Sequence, residues 1–169
     1  MRFEVELNLN YRKLLALYTA SERCFRRQEM VIFRIIFGLL GVMNVYRGWM
    51  SIQADGLGFK NSGNFMLGVI FVLAAVIPNI ISAGCARLRA VHKGTIQFDN
   101  NCYYEVFDDR KIRHHYDKVY ALVKFRGYDF IFLNQRSSLI LDLENVPGHS
   151  AAEIRGFLEN KCDKKYRYL

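Results

Sequence analysis

The chain has 169 residues, with 24 Lys/Arg against 16 Asp/Glu and a formal net charge of +8. That length suits one ordinary domain, or a smaller domain joined to membrane segments. The basic excess is uneven: residues 1–91 carry 11 basic and 5 acidic side chains, whereas residues 92–169 carry 13 and 11. Positive charge thus flanks the apolar stretches instead of coating a folded face, which argues against nucleic acid as a partner. Cys24, Cys85, Cys102 and Cys162 are too scattered for a disulfide framework or a structural zinc site, so reduced thiols on the cytosolic side are expected. No cleavable signal is expected, because a polar stretch containing Glu4, Glu6 and Glu22 precedes the first apolar segment.

Residues 1–29 open with "MRFEVELNLN", where Phe3, Val5, Leu7 and Leu9 alternate with polar residues, the period-2 pattern of a half-buried strand. Asn10 caps a following amphipathic helix with Tyr11, Leu14, Leu15, Tyr18 and Phe25 on one stripe and Arg12, Lys13, Glu22 and Arg23 opposite. This helix either lies on an anionic lipid surface or packs against the rest of the domain.

Residues 30–50 form the first expected transmembrane helix, with Arg34 and Arg47 near its ends and Tyr46 and Trp49 at the exit. Both arginines can snorkel to the interface, and the aromatics suit the membrane boundary. Residues 51–64 form a Gly- and Ser-containing external loop. Residues 65–86 form a second span, uncharged from Phe65 to Ala86 and kinked at Pro78. Arg23, Arg26 and Arg27 precede the first span, and Arg87, Arg89 and Lys93 follow the second. The positive-inside rule then puts both termini in the cytosol, giving a two-pass protein of the inner (plasma) membrane. Asn44 and the small-residue row Ala75, Asn79, Ala83, at four-residue spacing, suggest helix–helix contact and a homo-oligomer.

Residues 92–162 change to short strands, in "GTIQF", "CYYEVF", "KIRHHY", "DKVYALVKF", "YDFIFLN" and "LILDLENV", broken by turn residues. A helix follows, capped by Ser150 with Glu153 as its capping box and Ile154, Phe157 and Leu158 as its buried stripe. The fold class is an α+β membrane protein, in which a transmembrane hairpin carries a curled antiparallel sheet or small barrel closed by a C-terminal helix. The N-terminal strand extends an edge of that sheet. Residues 163–169 form a basic tail.

This order, together with "YDKVYALVKFRGYDFIFLNQRSSLILDL" and "GHSAAEIRGFLENKC", resembles the YcxB-like family of bacterial membrane proteins. The resemblance implies two spans and a cytosolic domain similar to pleckstrin-homology (PH) and GRAM modules. It brings no enzymatic activity with it. Where family members often carry a Pro-Lys or Asp-Lys pair, this chain has Leu141-Asp142-Leu143.

Chemical signatures are few. His114 and His115 are adjacent on a strand, so they point to opposite faces and do not readily grip one ion. Asp108–Asp109 reads as a turn, and no HExxH, nucleophile elbow or phosphate-cradling loop is present. No catalytic, cofactor or metal residue is expected. The expected role is a non-catalytic, membrane-anchored module whose cytosolic domain binds a protein partner. Alternatives are an anionic-lipid-binding module using Lys111, Arg113, Lys118, Lys124 and Arg126, an accessory subunit of a transporter, or a protective, immunity-type membrane protein.

Overall fold

The computed structural model describes residues 2–56, 58–89, 93–107, 110–135 and 137–169, with the backbone alone at positions 8, 55, 59–61, 89 and 93. His92 and the Asp108–Asp109 turn lie outside the described residues. Two compact units result: Met1–Phe25 with Ala83–Leu169, and Arg26–Ser82.

In the first unit, the alternating N-terminal segment forms β1 (Phe3–Asn8), which pairs antiparallel with β2 (Lys93–Phe98). β3 (Cys102–Phe107) and β4 (Arg110–His115) complete a sheet of order β1-β2-β3-β4. The second sheet is built from β5 (Ala121–Phe125), β6 (Tyr128–Phe132) and β7 (Ser138–Leu141), in order β7-β6-β5-β8. The expected basic tail supplies β8 (Tyr166–Tyr168), which runs parallel to β5. Three residues with Lys164 and Lys165 just before them are too short and too charged to read as a strand. They become one because Tyr166 is buried and the ladder offers β5 a partner.

The second sheet is buried on both faces, and its alternation sorts the core in two. Leu122, Ile131, Leu139 and Leu141 face β1–β3 and the helix α5 (Ala151–Cys162). Ala121, Val123, Phe125, Phe130, Phe132 and Ile140 face the helix α1 (Tyr11–Ser21). This settles the placement of α1: Leu14, Ala16 and Ala20 are buried against the sheet. Lys13, expected on the polar side, is buried as well. Its Nζ donates to Asp142 at 3.1 Å and lies 5.9 Å from the centre of the Tyr128 ring, so it gains a counter-charge while its stem covers apolar surface. Asn10 caps α1 by accepting from the Lys13 N–H at 2.9 Å. Ser150 and Glu153 form the capping box of α5 as expected.

In the second unit, α2 (Arg27–Asp55) is longer than the expected first span, and α3 (Phe59–Val76) starts inside the expected loop. Gly56, with φ 76°, ends α2 at its C-cap, a conformation that glycine adopts without steric cost. α2 lies in the one continuous helix of the described residues long and apolar enough to cross a membrane, and only 6% of its apolar window is buried. Val31, Ile35, Leu39 and Val42 are all about half exposed or more. A core helix of a soluble protein would cover such side chains.

The expected second span is not one helix. It breaks at Ile77 and turns by 93° into α4 (Pro78–Arg89). Pro78 has no N–H to donate and crowds Ile77 out of the helical region, and Ile77 takes φ −123°, ψ 44°. Ser62–Val76 and Pro78–Leu88 are long and apolar enough to cross a membrane only when taken together.

Candidate functional site

The residues expected to join helices do not do so together. The break at Ile77 separates Ala75 on α3 from Asn79 and Ala83 on α4, so no straight small-residue row exists. Ala83 is instead buried in the core shared with α1. Asn44 satisfies its amide locally, donating to the Leu40 carbonyl at 2.8 Å. Glycines bring α2 and α3 together: a β-carbon on Gly68 would lie 2.5 Å from the Val45 nitrogen, and one on Gly48 2.6 Å from the Phe65 nitrogen. Phe37 and Phe71 meet edge to face at 5.5 Å. The signal available in the sequence was glycine persisting inside apolar helices, where close backbone approach is its usual reason.

The five basic candidates also separate. Lys111 lies on the outer face of β4, donates to Gln97 Oε1 at 2.9 Å and stands 4.3 Å from the centre of the Tyr104 ring. Arg113 is exposed on the same face, opposite Tyr104 in register. Lys118 is exposed on the short turn after β4. Lys124 lies on β5, 3.9 Å from Glu144. Arg126 sits in the β5–β6 turn over the Phe125 ring.

Of the orienting residues, Arg23 is exposed over Phe125, Arg26 pairs with Glu29 at 3.1 Å, and Arg27 and Arg87 are exposed. The side chains of Arg89 and Lys93 lie outside the described residues.

Two exposed surfaces stand out among the described residues. One is the edge of the first sheet: β4 pairs with β3 alone among the described residues. Its Ile112 is 48% exposed, and Arg110, Lys111 and Arg113 are exposed around it. His114 does not contribute, because it stacks on Tyr103 at 5.1 Å and lies 3.1 Å from Glu105. His115 points the other way, as strand geometry requires. The second surface is an arginine-rich strip. Arg23 and Arg126 lie 5.1 and 5.2 Å from the centre of the Phe125 ring, and Arg167 of β8 lies 5.9 Å from that of Phe25.

The interior holds polar groups without obvious chemistry. Asp129, fully buried on β6, accepts two hydrogen bonds from Arg155 of α5, at 2.8 and 3.0 Å. Arg155 also donates to Glu144 at 3.1 Å. This pair locks α5 to the sheet, and nothing in its sequence spacing announces it. Burial raises the phenols of Tyr103, Tyr116 and Tyr166, and pushes the Cys162 thiol up to about 12. Burial therefore keeps Cys162 in the thiol form at neutral pH. Among the described residues no group of three His, Cys, Asp or Glu could hold a metal ion.

No protein-family model, curated protein or solved structure matches the chain.

Proposed function

We propose that this chain is a non-catalytic, membrane-anchored interaction module that binds a protein partner along β4. In this reading α2 and the α3–α4 pair form a two-pass hairpin in the inner membrane, with both termini cytosolic. The two-sheet unit with α5 at its end serves as a PH-like domain, in keeping with the YcxB-like resemblance. Exposed Arg23, Arg27 and Arg87 near the ends of the apolar segments support that orientation, as do Tyr46 and Trp49, both more than half exposed toward the far end of α2.

The observation that carries the partner reading is the open edge of β4. Its unpaired backbone groups can add a strand from another chain, main-chain hydrogen bonds giving affinity and flanking side chains giving selectivity. Arg110, Lys111 and Arg113 repel a second copy of the same edge, which guards against self-association. They favour an acidic, extended segment with an apolar residue to meet Ile112.

The test is a photo-crosslinking amino acid at position 112 of the full chain in native membranes. The expected product is a crosslink to an acidic extended segment of another protein, abolished by R110E/K111E/R113E. Crosslinks to lipid and to other copies of this chain alone would overturn the reading.

A further inference from the structure

We propose that Arg23, Arg126 and Arg167 form one site for the phosphate-bearing headgroup of an anionic membrane lipid. The three residues come from distant parts of the chain and reach the α1-facing side of the second sheet. Arg23 and Arg126 share the Phe125 ring. Arg167 pairs in register with Val123, two residues from Phe125 on the same face, and its guanidinium lies over Phe25. Aromatic faces hold guanidinium groups by cation–π attraction without consuming their N–H donors, and those donors suit the planar, bidentate recognition of phosphate.

The strip differs from four cations of its unit that carboxylates engage. Arg2, Lys13, Lys124 and Arg155 all face carboxylates. Among the described residues, none of the three strip arginines forms such an ion pair. Local backbone geometry also marks two of them. Arg126 takes φ 52° in a turn with Gly127 at φ 82°, a place where Asn-Gly is the favoured pair. A β-branched or long side chain gains nothing there from the turn itself. Arg23 belongs to a π-helical segment, Glu22–Arg26, a rare geometry that recurs at functional positions.

A lipid is favoured over a soluble anion for two reasons. The guanidinium groups are exposed on an open surface, with no enclosure to retain a small ion. Arg23 also precedes the start of α2 by only four residues in the chain, so covalent connection alone keeps it close to the apolar segment. The second reason rests on the membrane reading given above.

The experiment uses the full chain in mild detergent, offered equal amounts of phosphatidylglycerol and phosphatidylcholine, with bound lipid read by native mass spectrometry. Each arginine near an anionic surface contributes about fivefold, so the three together give a preference on the order of a hundredfold at low salt. R23Q/R126Q/R167Q is expected to lose it, and R110Q/K111Q/R113Q, which removes equal charge from β4, to keep it. R126N, which suits the turn better than arginine, is expected to fold at least as well and still lose about fivefold. Retention of the preference by the strip variant, or equal loss in both triple variants, would overturn the site. Displacement of lipid by inorganic phosphate beyond a chloride control of matched ionic strength would overturn the lipid assignment. Alkaline carbonate extraction of native membranes separates the two readings. A chain extracted while the lipid preference persists overturns the membrane anchor and leaves the site standing.

Discussion

Replacing Arg155 by Met tests how the final helix is held to the sheet. The Asp129 carboxylate is fully buried and Arg155 is 14% exposed, so solvent screens the pair weakly. Removing one partner of such a pair strands the other charge, at a cost of about 3–5 kcal/mol. The contact with Glu144, whose side chain is 60% exposed, adds little to that sum. Among the described residues Asp129 pairs with no second cation: Lys124, opposite it on β5, lies 3.9 Å from Glu144.

Cys162 reports the loss directly. It lies at the end of α5, 5% exposed, with its thiol pushed up to about 12 by burial, so it reacts with alkylating reagents only when the helix detaches. Urea-dependent alkylation of the full chain, resolved by peptide mass spectrometry, measures that opening. The R155M variant is expected to raise the opening equilibrium by two to three and a half orders of magnitude, roughly tenfold per 1.4 kcal/mol. Asp129→Leu/Arg155→Met, which removes both charges, is expected to return within about 1–2 kcal/mol of the native protein. A loss below about 1 kcal/mol in R155M, the size of an ordinary surface pair, would refute the argument. So would a double variant less stable than the single one.

Other consequences follow from the packing. Gly68→Val forces a side chain against the α2 backbone and is expected to cost about 1–3 kcal/mol, lowering the apparent Tm in detergent, whereas Gly38→Val, which meets nothing within 4 Å, leaves it unchanged. Ser150→Ala is expected to destabilise α5 by about 1 kcal/mol, read by the same Cys162 alkylation. The Ser150 N–H and hydroxyl hold the Glu153 carboxyl below its ordinary value of 4.5. Its contribution is therefore complete above that pH and fades as the pH falls through the lowered folded-state value, so Glu153→Gln should flatten the acid limb of the stability curve. Pro78→Ala restores a helical donor and should lengthen the distance between spin labels at Ile70 and Ile81; an unchanged distance would place the cause of the bend outside the proline.

Local chemistry was legible where one residue type decides one outcome. Asn10 and Ser150 cap their helices because a short polar side chain can bond the orphan N–H groups. The alternation of Phe3, Val5 and Leu7 put those residues inward because a strand has two faces. Tertiary placement was not legible in the same way. The stripe on α1 fits lipid and sheet equally well, and only the apolar second face of β5 and β6 decides between them. The right-angle turn at Pro78 was underestimated as a kink because hydropathy is continuous across it. Proline removes one hydrogen bond, but the angle depends on where Ile77 can go.

The arginine strip shows why a binding surface escapes a reading along the chain. Its members stand at positions 23, 126 and 167, one just before α2, one in a hairpin and one in an apparent tail, and of these the charge pattern offered only Arg126 as a binding candidate. Counting charge along the chain gave Lys111, Arg113, Lys118, Lys124 and Arg126, yet the first three fall on an edge strand and the turn after it, and only Arg126 belongs to the strip. The strip forms where β8 joins β5 in parallel, which carries Arg167 alongside Val123, and where Arg23 of the π-helical turn lies over the Phe125 ring. Deleting residues 166–169 therefore separates two effects. If the strip acts as a unit, the deletion reduces anionic-lipid retention about fivefold, as Arg167→Gln does, whereas Lys111→Gln on β4 leaves it unchanged. If the charges act diffusely, the deletion and Lys111→Gln cost the same.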